Sequence, residues 1–229
     1  MNNISSCQFY CLSYNNEDKK NSMIKRFTKF KIECKFYSGI YDNDKRVKMA
    51  KNKLIRRQWS IFYGHLDILF DFINNTNKKF AIICEDDIYI HKNIKLFLSK
   101  IIADFNLLGL DILLLGYLLP YKLDLNNACF NYKLKRDMPE NSIFKYHDYP
   151  EYLSGCQMYL ISRDHAQTIL DKYYNNFSKF IYKPFIIDKL LLKEGNKALI
   201  YPMISIENDQ QEDPYHKLCH LIHYNEFYI

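Results

Sequence analysis

Phe80-Ala-Ile-Ile-Cys84 is a short apolar run that stops abruptly at three carboxylates, Glu85, Asp86 and Asp87, after which apolar residues resume at Ile88. A run this short and this uniformly apolar reads as a strand covered on both faces. Acids set directly against a core strand are costly unless cationic charge meets them. Open α/β sheets hold their ligands beyond the carboxyl ends of strands, and a divalent metal placed there would supply the missing charge. A solvated loop that carries three acids is the plainer alternative.

The flanking chain supplies the layers such a strand needs. Residues 8–14 read as a first strand and residues 15–18 as turn and N-cap. Residues 19–30 continue as a helix with Met23, Phe27 and Phe30 along one face. Residues 34–38 form a second strand closed by Gly39, so the chain opens β-α-β, the start of a parallel sheet. Residues 42–46 are polar and basic and read as a loop. The clearest helix spans about residues 54–73, where Ile55, Trp59, Phe62, Leu66, Leu69 and Ile73 make one apolar stripe. Residues 93–105 form another amphipathic helix, residues 111–116 a buried strand, and residues 157–162 a strand leading through Ser162, as N-cap, into a helix over 163–173. Pro184 suits the first turn of a short helix reaching Leu192, and residues 198–206 read as a last strand. Residues 118–149 show no period, and a segment that long is often a lid or binding insertion. With no repeat and no interdomain linker, the expectation is one α/β domain over residues 1–229.

Composition narrows the function classes. Of 229 residues, 48% are hydrophobic and 25% charged, enough for a substantial core and too apolar for global disorder. Gly and Pro, six each, are too scarce for a turn-dense all-β fold. The 20 Tyr accompany abundant Asn, Lys and Ile, all with A/T-rich codons, so they are no evidence for sugar stacking. A net charge of +6 favours anionic partners modestly. The basic residues are scattered, apart from a denser stretch over 45–57. Nucleic acid calls for a more continuous basic face, whereas a basic rim around a phosphate-bearing small substrate fits. The seven Cys are irregularly spaced, with no C-x-x-C, and most sit in apolar runs (Cys34, Cys84 and Cys219) and read as buried free thiols of a reducing compartment. The N-terminus lacks the basic and apolar regions of a signal peptide, and the longest apolar run, 112–119, is too short to span a bilayer. The expected location is therefore the cytoplasm, for a viral or a cellular chain.

Four motifs now stand in order: Gly64-His65-Leu66 on the long helix, Ile83-Cys-Glu-Asp-Asp-Ile-Tyr89, Gly155-Cys-Gln-Met-Tyr-Leu-Ile-Ser-Arg-Asp-His-Ala166, and Pro184-Phe-Ile-Ile-Asp-Lys189. Together they resemble glycosyltransferase family 25, the lipooligosaccharide and collagen galactosyltransferase group. Two departures are visible: Gly64 replaces the family's Ser, and the Pro-to-Asp spacing is longer. The resemblance implies a GT-A-like fold, a Rossmann-like and mostly parallel sheet flanked by helices. It also implies a UDP-sugar donor, Mn²⁺ or Mg²⁺, and inverting transfer of galactose, glucose or a similar sugar to a glycan or glycoprotein hydroxyl. Residues 1–116 would then bind the nucleotide-sugar and residues 117–229 the acceptor.

Under that resemblance, residues 85–87 are the counterpart of the metal-binding DxD motif, and hard carboxylate oxygens suit such metals. Asp87 is the candidate metal ligand. Asp86 is a candidate for both metal and donor, nearer the ribose or sugar. Glu85 is a supporting acid, or else an ion-pair partner of an Arg such as Arg57. If the strand persisted, Glu85 and Asp87 would point one way and Asp86 the other. His65 is a donor contact or a packed structural residue. Tyr14, where the first strand ends, and Gly155, where backbone could approach the sugar closely, complete the donor candidates. Asp188 is the candidate base for the acceptor hydroxyl, or a helix-start acid favoured by the macrodipole. Asp148 and Glu151 are its runners-up. Of His216, His220 and His223 near the end, His216 is the candidate for a further metal ligand. A zinc site lacks any supporting motif. The competing readings are a catalytically weak sugar- or nucleotide-binding member and a metal-dependent phosphoesterase.

Overall fold

The computed structural model describes residues 3–14, 16–41, 43–48, 53–118, 142–149, 154–174, 190–207 and 227–228. The chain opens with β1 (Cys7–Ser13), α1 (Glu17–Lys29) and β2 (Cys34–Ser38), followed by a single helical turn α2 (Lys45–Lys48) and the long α3 (Lys53–Asn75). β3 (Phe80–Glu85) and β4 (Ile88–His91) flank the acidic turn. Then come α4 (Ile94–Leu107), β5 (Ile112–Leu118), β6 (Lys145–His147), β7 (Ser154–Ser162) and α5 (Arg163–Tyr173). β8 (Lys197–Tyr201), β9 (Ser205–Glu207) and β10 (Phe227–Tyr228) complete the described elements.

Seven strands form one sheet in the order β2-β1-β3-β7-β5-β8-β6. β1 runs parallel to β2 and β3, and β5 parallel to β8; β7 is antiparallel to both its neighbours and β6 is antiparallel to β8. The expected α/β, GT-A-like architecture is thus the one found. Five of the seven strands share a direction, with β7 reversed inside the sheet, a reversal that hydrophobic runs cannot reveal. A second sheet, β10-β4-β9, is wholly antiparallel.

Alternation along β3 serves both faces. Ala81 and Ile83 join Tyr10, Leu12, Trp59, Leu66 and Tyr159 under α3 and α5. Phe80, Ile82 and Cys84 join Phe9, Met23, Phe27, Leu98 and Ile102 under α1 and α4. This two-sided cover is why β3 reads as a continuous apolar run. The stripe on α3 is wider than its sequence period suggests, because α5 packs on it as well as the sheet; Phe62 meets Tyr173 edge-on, with ring centroids 6.3 Å apart.

Three expectations change. The polar stretch 42–46 contains the start of α2, with the Asp44 carbonyl accepting from Val47 and Lys48. The single strand expected over 198–206 is two strands in different sheets, parted at Pro202, which has no N–H for a ladder. The irregular stretch 118–149 contains β6. The helix expected from Pro184 lies outside the described residues except for its last turn, 190–191. Of the three expected buried free thiols, Cys84 is one, Cys34 is half-buried, and Cys219 lies outside the described residues; Cys7, Cys11 and Cys156 are buried and free as well. No described helix is long and apolar enough to cross a membrane.

Candidate active site

β1 and β3 end side by side in parallel register, Cys11 against Cys84 and Leu12 against Glu85. At that line β3 stops, and Asp86 and Asp87 form the turn into β4. The alternation expected for a persisting strand is therefore lost, and all three acids line one cleft of about 200 Å³. The other walls come from the end of β1, the first turn of α1 and the N-terminal part of α3. This is the carboxyl edge of the parallel strands, where open α/β sheets bind ligands.

Asp86 is the buried member, 8% exposed. Ser13 Oγ donates to its Oδ2 at 2.7 Å, tying the turn to the end of β1. Burial pushes its carboxyl above the usual range. The Ser13 hydrogen bond, the Lys19 charge and the Tyr14 backbone N–H work against that, and the Asp87 charge adds to it.

Asp87 is half-exposed and differently placed. Lys19 Nζ donates to its Oδ2 at 3.0 Å. Its Oδ1 is buried and has no hydrogen-bond partner among the described residues. Burial works against the Lys19 charge, but the Asp87 hydrogen bond and the charges of Asp87, Asp86 and Glu207 outweigh it and raise the Lys19 pKa. Glu207 reaches this neighbourhood because it pairs with Ile88, next to the turn, through the β4–β9 ladder. Glu85 shares the cleft with Arg57 of α3.

Tyr14 also lines the cleft and is 46% exposed. Its ring lies over Gly39, where an added Cβ would stand 2.4 Å from Tyr14 Cδ2, so only glycine fits beneath it. Tyr41 packs beside it at a centroid distance of 6.1 Å.

Other candidates fall elsewhere. His65 is fully buried and does not line the cleft. Its Nδ1 is 2.9 Å from the Tyr159 hydroxyl, and burial pushes its pKa down to about 4, so it is neutral at pH 7. Its place is the α3–sheet interface, where its ring faces Tyr159 of β7. Gly64 beside it lets α3 approach β1; a Cβ there would lie 2.8 Å from Leu12 Cδ1. Gly155, at φ 94°, opens β7 in a backbone conformation that side chains disfavour. Asp148 follows β6, an edge strand separated from β3 by β7, β5 and β8, and is not part of the cleft. Asp188, Glu151 and His216 lie outside the described residues.

Sequence reasoning passed over Lys19, Ser13 and Glu207. A signal existed for Lys19: a β-α-β unit brings the first turn of its helix to the carboxyl edge, and Lys19 sits three residues after the N-cap Asn16. Glu207 carried none, since 198–206 read as one strand and left it in a loop.

Among the described residues no group of three or more His, Cys, Asp or Glu comes together to hold a metal ion. What the site does offer, among the described residues, is a carboxylate oxygen of Asp87 without a hydrogen-bond partner, in a cleft that Lys19 and Arg57 line.

The family model described as "Glycosyltransferase family 25 (LPS biosynthesis protein)" matches residues 7–190. No curated protein sequence matches the chain. Among solved structures, the chain is similar to the A197 protein from STIV, with 13% identity over 89% of this chain and 92% of that one and a TM-score of 0.47. It is also similar to a glycosyltransferase involved in glycosylation of the major capsid of PBCV-1, with 10% identity over 95% and 99% and a TM-score of 0.39. A nucleoside-diphosphate-sugar pyrophosphorylase from Vibrio cholerae RC9 matches with 12% identity over 94% and 82% and a TM-score of 0.40.

Proposed function

Because the chain belongs to glycosyltransferase family 25, and is therefore a glycosyltransferase, we propose that the cleft beyond β1 and β3 binds the diphosphate of a UDP-sugar. Its hexose, galactose, glucose or a similar sugar, passes with inversion to a hydroxyl of a glycan or glycoprotein. One observation carries this reading. Asp87 has one oxygen on Lys19 and the other buried without a partner among the described residues, in a cleft that Lys19 and Arg57 both line.

That orphaned oxygen fits a hard divalent cation, Mn²⁺ or Mg²⁺, which takes one or two protein carboxylates and fills the rest of its shell with substrate phosphates and water. Bound there, the cation would offset charge on the departing diphosphate. Asp87 would hold it, with Asp86 beside it and His216 as a proposed further ligand. Asp86 is fixed by Ser13, so it presents a set geometry toward the ribose or sugar. Glu85 supports the pair of acids and, with Arg57, balances charge on the cleft wall. Lys19 and Arg57 offer charge-assisted hydrogen bonds to phosphate oxygens from α1 and α3. The exposed ring of Tyr14 offers an apolar face to the donor's base. Residues 1–116 thus serve the donor, and residues 117–229 are proposed to serve the acceptor, with Asp188 as the base that takes its proton. Gly155 leaves room for the sugar or acceptor to approach the backbone.

A ligand that binds the folded state raises its melting temperature. UDP with Mn²⁺ is expected to raise it above the values with Mn²⁺ alone and with GDP and Mn²⁺. No shift with any nucleotide would contradict a nucleotide-sugar site.

A further inference from the structure

The cleft already contains a cation. Lys19 Nζ lies 3.0 Å from Asp87 Oδ2, where it meets the charges of Asp86 and Glu207 as well. Its backbone is fixed, because Lys19 N donates to Asn16 Oδ1 at 3.0 Å in the N-cap of α1. Its tip is not, since the side chain is 47% exposed and a lysine stem is flexible. A divalent ion on the remaining oxygen, Oδ1, would share one carboxylate with an ammonium, and like charges that close oppose each other's binding.

We propose that Lys19 is an exchangeable counter-ion: it holds Asp87 before substrate arrives, and it leaves Asp87 for the phosphate oxygens when a divalent cation and a diphosphate enter together. The inference rests on the donor-site reading above and adds a coupling to it. A cation entering alone must displace Lys19 with no anion to receive it. A diphosphate entering alone draws Lys19 off and leaves Asp87 uncompensated beside it. Entering together, each ligand supplies the partner that the other removes. Asp87 gains the cation and Lys19 gains the phosphate, so each raises the other's affinity by the same factor.

Two binding measurements on the full chain separate this from a structural ion pair. Mn²⁺ binding without nucleotide is read from the electron paramagnetic resonance signal of the free ion. UDP binding is read by calorimetry at saturating Mn²⁺. Lys19→Met is expected to bind Mn²⁺ alone at least ~10-fold tighter than wild type, about the effect of removing one adjacent unit charge. It is also expected to bind UDP ~10-fold more weakly or worse, for loss of a charge-assisted phosphate contact. Lys19→Arg is expected to stay near wild type on both. A surface ion pair with only a structural role would not move two ligands in opposite directions. Equal Mn²⁺ affinity in wild type and Lys19→Met, or equal UDP affinity, overturns the exchange while UDP binding to wild type leaves the donor site standing. Failure of wild type to bind UDP at any Mn²⁺ concentration removes the donor site itself, and this inference with it.

Discussion

Arg163 donates to the carbonyls of Phe72, Ile73, Thr76 and Lys78 and to the Thr76 hydroxyl, at 2.6 to 3.0 Å. The last carbonyls of a helix have no partner within it, and one guanidinium from α5 meets those of Phe72 and Ile73 at the end of α3 and two more just beyond it. Lysine cannot reproduce that fork. Arg163→Lys is therefore expected to lower unfolding free energy in urea by ~2–3 kcal/mol, since several partly buried carbonyls lose charged donors at once. Asp71 is the second structural centre. Tyr10 and Lys35 donate to it, Lys35 at 2.6 and 2.7 Å, with Asn75 at 2.8 Å. Burial alone would raise its pKa, but the hydrogen bonds from Lys35, Asn75, Tyr37 and Tyr10 win and bring it down to about 2. A carboxylate with a depressed folded pKa stabilises above its unfolded pKa and loses that as pH falls through the folded one. The stability gap between wild type and Asp71→Asn is thus expected to be full, ~2 kcal/mol, at neutral pH and to shrink between about pH 4 and pH 2. A gap that is flat over that window would show that Asp71 acts otherwise. Among single residues, the sequence marked the three acids, because carboxylates against a core strand are conspicuous. His65 was only half legible, since its partner is Tyr159 of β7, which the local pattern of α3 does not encode.

Elements with a complete period were legible within a few residues. β2 and α5 match their expected bounds, and α3 exceeds them by a residue or two at each end. Elements defined by partners were not: β6 has three residues, and β9 belongs to a different sheet from β8. The packing of β9 across β5 turns on one glycine. A Cβ on Gly116 would stand 2.6 Å from the Ser205 carbonyl oxygen and 3.0 Å from its Cβ. Backbone cannot swing away as a side-chain end can, so Gly116→Ala is expected to cost ~1–3 kcal/mol, read by thermal unfolding. An unchanged melting temperature would mean that β9 shifts freely. The same contact helps hold Glu207 beside the acidic turn, which links core packing to the charge around Lys19.

At the scale of the molecule, the sheet decides where chemistry can occur. The parallel β1–β3 pair ends at one edge, α1 begins there, and α3 crosses above it, so acids from one segment meet cations from two others. The α/β class and this edge were legible from the sequence, because buried strands followed by polar turns reveal both. The reversal of β7 and the distance of Asp148 from the cleft were not, since strand order is set by long-range pairing. Turnover of the donor is the decisive property of the assembled site. Slow hydrolysis of UDP-galactose and UDP-glucose with Mn²⁺ should be compared for wild type and Asp87→Asn, with melting temperatures measured in parallel. Wild type is expected to release free sugar from one of them, and Asp87→Asn to lose ~10²-fold or more of that rate while still folded, the scale of losing a group that stabilises charge in the transition state. Full hydrolysis by a folded Asp87→Asn protein would contradict the placement of the donor diphosphate at the acidic turn.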